Sequence, residues 1–322
     1  MLSALINLLF ARGEQAVYAL QHLPPIKKTV LPSQVSDHAL PVRVLLPTAD
    51  TIALVCDSPH SGTDYPSDFR YSVAVTELRK CEDTYVHWLW DAVPRVGGTL
   101  VHATFPRSYI DPNRHEQDID VAMLADTWPG DAAPAARTLA LGNGLVSSLT
   151  PTRHPIYARR LPAHEVAYRI EHYWRPYRRA LTQAIEMAAA NGPRWHLNLH
   201  SMPSNAYERL GRVAPGPLCD VVLGNLNGQS CSAAFTSMVA QSFRERGYSV
   251  AVNDPYAGQD LLREFGAPSC GHESLQIELN RAIYLNEQTR KLLPRATDVR
   301  EDITDVLGEI AGHIRNITTD RS

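Results

Sequence analysis

Six short apolar runs, each ending in a polar residue or a tight turn, constrain this chain more than any other feature. They are Thr51–Asp57 (TIALVCD), Thr99–Phe105, Trp195–His200 (WHLNLH), Cys219–Gly224, Tyr248–Asn253 and Ser274–Asn280 (SLQIELN). Runs of this length bounded by turn residues read as strands. Between and after them, residues 76–93, 163–190, 231–247 and 286–315 read as helices, the first from apolar spacing near 3.6. The second is interrupted near Pro176 and the last near Pro294. Strands alternating with helices give an α/β fold: a mainly parallel or mixed sheet with helices on both faces. In such sheets ligands bind beyond the carboxyl ends of the strands. His60, Arg107, His200, Asn253 and Glu278 all fall at or just after an expected strand.

The remaining segments set the domain plan. Residues 1–48 are weakly patterned and broken by Pro24, Pro25, Pro32 and Pro41, so they read as an N-terminal arm, and residues 49–322 as a single catalytic domain. Leu2–Phe10 is apolar, with no basic residue before it and no small-residue cleavage site after it. It reads as a short packing helix, or as residues outside the native chain within positions 1–12. Residues 115–162 are loop-rich, as lids and substrate loops often are.

Composition narrows the function classes. With 31 Lys+Arg against 34 Asp+Glu the net charge is −3, so the basic surface of a nucleic-acid binder is not expected. No apolar run approaches the roughly 18–20 residues of a membrane span. Five cysteines, Cys56, Cys81, Cys219, Cys231 and Cys270, include no C-x-x-C pair. They read as free thiols of a cytoplasmic protein rather than a disulfide framework or a zinc knuckle. The oligomeric state is left open.

Several apparent motifs fail. His115-Glu116 and His164-Glu165 open like H-E-x-x-H but lack the second histidine one turn on. Gly228-Gln229-Ser230-Cys231-Ser232 lacks the closing glycine of a nucleophile elbow. There is no phosphate-binding loop.

The chemistry gathers at the strand ends. His60 sits in the turn Ser58-Pro59-His60-Ser61-Gly62, and His200 ends another strand. If these strands are neighbours, the two imidazoles meet. With one carboxylate they would complete the three protein ligands of a catalytic Zn2+, one per chain. Glu82 or Asp83 can supply that carboxylate. Glu278 lies inside an apolar strand, where a carboxylate is costly unless paired or functional, and near a metal it can serve as general base. Arg107 and Arg114 flank a turn rich in Pro, Asp and Asn. Their guanidinium forks suit a carboxylate, which points to a small acidic substrate.

Six blocks in order resemble the N-formylglutamate amidohydrolase family: Ser58-Pro59-His60-Ser61-Gly62 with Tyr65-Pro66; Glu82-Asp83 with Val86; and the run from Phe105 to Arg114. Asn198-Leu199-His200-Ser201-Met202-Pro203, Asn253-Asp254-Pro255-Tyr256-Ala257-Gly258, and Leu275 to Arg281 with Tyr284 follow. The resemblance implies hydrolysis of N-formyl-L-glutamate to formate and L-glutamate, late in histidine breakdown, by a fold similar to zinc exopeptidases. It further implies that Asn113 and Arg114 bind the substrate and that Glu278 is the base. Arg281, at the end of the last block, joins the expected substrate-binding residues. One departure stands out: where a histidine is expected five residues before the strand Glu, the chain has Glu273, with His272 beside it. Another N-acyl amino acid or peptide as substrate, or a non-catalytic metal-containing binding protein, are the rival expectations.

Overall fold

The computed structural model describes residues 40–188 and 192–319. Most of the expected arm, Leu2–Phe10 within it and the last two residues of the expected 163–190 helix lie outside the described residues. The core is a seven-stranded sheet in the order β1-β3-β2-β4-β7-β5-β6. Its strands are β1 (Val42–Leu45), β2 (Leu54–Ser58), β3 (Thr99–Ala103), β4 (Arg194–Met202), β5 (Val221–Gly224), β6 (Val250–Val252) and β7 (His272–Asn280). β2, β3, β4 and β7 run parallel to one another. β1, from the end of the expected arm, pairs antiparallel with β3, and β5 pairs antiparallel with β7. The sheet is therefore mixed. The reversal has one consequence for the site. Asn253 does not join the carboxyl ends of the four parallel strands; its amide instead donates from Nδ2 to Asn225 Oδ1 at 2.7 Å.

Alternation along the central strands separates two faces. Leu54, Cys56, Trp195, Leu197, Leu199, Leu275, Ile277 and Leu279 pack under Val86–Leu89, Ala233–Glu245 and Ala296–Thr319. The opposite face carries Val55, Val101 and Ala103 against Tyr177, Leu181 and Ile185 of the helix Arg175–Ala188. On β4 and β7 that second face is polar: His196, Asn198, His200, Ser274, Gln276 and Glu278 are all buried there. Desolvating so many polar groups is tolerable only if each finds a partner or a ligand.

Three helical expectations differ in detail. The 76–93 segment is not one helix. It breaks after the turns Val75–Leu78 and Arg79–Cys81, Glu82 is extended, Tyr85 has φ 66°, and helix resumes at Val86–Leu89. The reason is a tertiary bond: the Asp83 amide donates to His60 O at 2.9 Å, which pulls this stretch onto the loop after β2. The interruption near Pro176 is a π-helical turn, Ile170–Trp174, joining Ala163–Arg169 to Arg175–Ala188. The last helix starts only at Ala296, because Leu285–Asn286 and Lys291–Leu292 form a small antiparallel pair, β8 and β9, before Pro294. Among the described residues no helix is long and apolar enough to cross a membrane.

Candidate active site

His60, Asp83 and His200 converge at the carboxyl ends of β2 and β4, His60 just after β2 and His200 among the last paired residues of β4, each buried, with candidate ligand atoms within 4.8 Å of one another. His60 Nδ1 lies 3.4 Å from Asp83 Oδ2, and His200 Nδ1 lies 2.9 Å from the same oxygen. The broken helix explains why Asp83 reaches the histidines. Glu82 turns away: it accepts from the Tyr65 hydroxyl at 2.7 Å and from Arg79 Nε at 3.3 Å. Of the two candidate carboxylates, Asp83 is the one that meets the imidazoles.

The outward nitrogens of both rings are pinned. His60 Nε2 donates to Asp111 Oδ1 at 2.7 Å. Asp111 is itself held by Arg107 Nη2 at 2.6 Å and by the Asn113 amide at 2.9 Å. That bond leaves the His60 Nδ1 lone pair facing inward, and Nδ1 is buried without any hydrogen-bond partner. His200 Nε2 lies 2.7 Å from Asn198 Oδ1. Asn198 donates from Nδ2 to Asp57 at 2.7 Å, so its Oδ1 must accept from His200, and His200 Nδ1 also presents its lone pair inward. Two imidazoles, each oriented through its second nitrogen, with one carboxylate and an orphaned inward nitrogen, make a donor set that fits a divalent cation.

Electrostatics agree. Burial favours a neutral Asp83, but without a metal the inward nitrogens of His200 and His60, when they carry a proton, and the Arg281 guanidinium hold its carboxyl well below the usual range; a bound cation would take the place of those protons. Burial pushes His200 down, toward the neutral form that a metal requires. Glu278 sits directly across from His200 on the neighbouring strand. Gln276 Nε2 donates to its Oε1 at 3.0 Å, and burial, reinforced by the Asp83 charge, pushes its carboxyl up to about 8.

The arginines divide into engaged and open. Arg281 donates from Nη2 to Asp83 Oδ1 at 2.8 Å and from Nε to Ser201 Oγ at 3.1 Å, so its fork is occupied within the protein. Arg107 is paired with Asp111. Arg114 donates from Nε to Asn143 O at 3.0 Å and from Nη1 to Asn113 O at 3.1 Å, while its Nη2 is buried and unpartnered. Asn113 is tied in at both ends: Nδ2 donates to Asn198 Oδ1 at 3.2 Å and Oδ1 accepts from the Leu261 amide at 3.2 Å. His60, Asp83, Arg107, Asn113, Arg114, His200, Glu278 and Arg281 all line one pocket; Glu82 does not. His272 and Glu273 stand at the far, amino end of β7, where Glu273 accepts from the Ser232 amide at 2.6 Å.

Sequence reasoning missed Asp57, Asp111 and Asn198. Asn198 had a visible signal, since it is the polar residue between two apolar ones in Trp195-His-Leu-Asn-Leu-His. Asp111 lies within the block from Phe105 to Arg114, of which only Arg107, Asn113 and Arg114 were singled out.

A family model described as N-formylglutamate amidohydrolase matches residues 52–285. A crystal structure of N-formylglutamate amidohydrolase from Ralstonia eutropha JMP134 is 48% identical, with a TM-score of 0.84, covering 86% of this chain and 99% of that one. An N-formylglutamate deformylase of Pseudomonas putida is 26% identical over 73% of this chain and 83% of its own length. One from Pseudomonas aeruginosa is 26% identical over 74% and 84%.

Proposed function

Because the chain belongs to the N-formylglutamate amidohydrolase family, we propose that it hydrolyses N-formyl-L-glutamate to L-glutamate and formate. The observation that carries this reading is the convergence of His60, Asp83 and His200 on one point, with Glu278 beside His200 in a cationic pocket. His60, Asp83 and His200 would hold a divalent cation, zinc in this reading, which when bound would supply an acidified water and polarise the formyl carbonyl.

The chain's own residues do the rest. Glu278 accepts the proton of the attacking water and delivers it to the departing amine, and its raised carboxyl suits that exchange near neutral pH. Arg107 acts on both Asp83 and Glu278 electrostatically, which supports placing it at the developing oxyanion. Arg114, with Nη2 open, receives a substrate carboxylate. Asn113 and Arg281, expected to touch substrate, are instead assigned supporting parts: Asn113 steadies Asn198 beside His200, and Arg281 fixes the second oxygen of Asp83. A place in histidine breakdown in the reducing cytoplasm belongs to the same reading.

The test is Glu278→Gln, which keeps size and hydrogen bonding but cannot take a proton. It should retain the metal and lose most of kcat for formate release. Loss of metal with this change would move Glu278 into the ligand set, and full activity would remove it from the reaction.

A further inference from the structure

Four cations of the pocket, Lys80, Arg137, Arg153 and Arg209, have no task in this mechanism, and of these Arg137 is the one with a buried donor left without a hydrogen-bond partner. Arg137 lies on the short helix Ala136–Leu141, within the loop-rich segment, and lines the same pocket as His60, His200 and Glu278. Arg107 and Arg281 are matched by Asp111 and Asp83. Among the described residues Arg137 makes no ion pair, and its Nε is buried without a hydrogen-bond partner. Arg114 beside it, 5% exposed, has its Nη2 unpartnered as well. Two guanidinium groups with open donors thus face one pocket. Burial, with the charges of Arg114 and Arg107 nearby, pushes the Arg137 guanidinium down to about 9, a cost that an anion would relieve.

The helix that carries Arg137 is built to hold it still. Asp118 accepts from the Ala135 amide at 2.9 Å and from the Thr138 hydroxyl at 2.9 Å. Arg153 Nη1 donates to Ala140 O at 2.7 Å. Gly144 packs so tightly here that a Cβ would lie 2.4 Å from Thr138 Cγ2 and 2.6 Å from Asp118 O.

We propose that Arg137 is the residue that reads the side-chain carboxylate of the substrate, while the open Nη2 of Arg114 takes the α-carboxylate, so that the pocket selects N-acyl amino acids with acidic side chains. This rests on the amide-hydrolase reading above and supplies its specificity. The pocket already holds Asp83 and Glu278, which would repel a dianion unless cations answered it. A neutral side chain leaves Arg137 desolvated and unanswered, and sites built to pair a polar group reject analogues that lack it.

The experiment measures kcat and KM of the metal-loaded full chain for N-formyl-L-glutamate and N-formyl-L-glutamine, in the unmutated protein, Arg137→Gln and Arg137→Lys. Metal content and Tm report on folding. Calorimetry with L-glutamate and L-glutamine reports on recognition without turnover. Arg137→Gln should lose roughly 30- to 1000-fold in kcat/KM for the glutamate substrate, mostly through KM. The glutamine substrate should move less than about threefold, with partial rescue by Lys. Equal losses for both substrates, or no loss for either, overturn the assignment of Arg137 even when formate is released. If no formate is released but L-glutamate binding still depends on Arg137, the receptor stands and the deformylase reading falls. If neither catalysis nor binding distinguishes the two side chains, the receptor falls.

Discussion

Replacing Asp57 by Asn should weaken the metal site without touching a ligand. Asp57 is fully buried and accepts from the Tyr177 hydroxyl at 2.7 Å, Asn198 Nδ2 at 2.7 Å and His196 Nε2 at 2.9 Å. A carboxylate only accepts, so it fixes which end of the Asn198 amide faces it. The Asn198 carbonyl then keeps the His200 proton on Nε2 and the lone pair of Nδ1 inward. Asparagine at position 57 offers one acceptor in place of two: its NH2 can be taken by a turned Tyr177 hydroxyl, but whenever it faces Asn198 and His196 it sets donor against donor. A flip of Asn198 relieves that contact, but it turns an NH2 toward His200 and moves the imidazole proton to Nδ1. Partners that orient metal ligands are worth roughly 10- to 100-fold in metal affinity, or about 1.4–2.7 kcal/mol. Folding stability should fall too, by roughly 2–4 kcal/mol, as buried charge-assisted bonds are replaced by a donor–donor contact. The assay is competition with a chromophoric chelator near neutral pH, alongside denaturant unfolding of the metal-free protein. Tyr177→Phe is the control, since it removes one bond to Asp57 and leaves Asn198 oriented; it should cost stability and spare metal affinity. A folded Asp57→Asn protein that holds metal as tightly as the unmutated chain would refute the orientation argument.

Two further outcomes follow from the same geometry. His60→Ala and His200→Ala should each abolish stoichiometric metal and activity together, by metal analysis and formate release; a metal-replete, active His200→Ala protein would break the ligand assignment. In the metal-stripped protein, Glu278 has its folded pKa raised to about 8, above the roughly 4.3 of an unfolded glutamate, so the native state holds the extra proton. Its contribution to stability is present below the unfolded value and is lost as pH rises toward 8. Apo Glu278→Gln should therefore gain stability relative to the unmutated apo protein as pH increases through that window, and parallel Tm profiles would contradict this.

The sequence carried the strands and most of the site, because both are written locally. A short apolar run ending in His60 or His200 announces itself, and so does a lone glutamate inside Leu275-Gln-Ile-Glu-Leu. What it could not carry depends on contacts across the fold. The choice of Asp83 over Glu82 is made by the bond from the Asp83 amide to His60 O, which breaks a helix that spacing alone would extend. The direction of β5 and β6, which removes Asn253 from the strand-end group, is decided by pairing with β7. The pairing of Arg281 Nη2 with Asp83 likewise joins residues far apart in sequence. Arg137 has no local signature at all, since its meaning lies in the absence of a counter-charge among described residues far away in sequence.

The most direct test of the account is formate release from N-formyl-L-glutamate by the chain loaded with one equivalent of Zn2+, measured before and after chelation and on metal return. Turnover should disappear with the metal, return with it, and be abolished in metal-loaded Glu278→Gln. Formate release that survives complete metal removal, or a metal-replete chain that releases none, would contradict it.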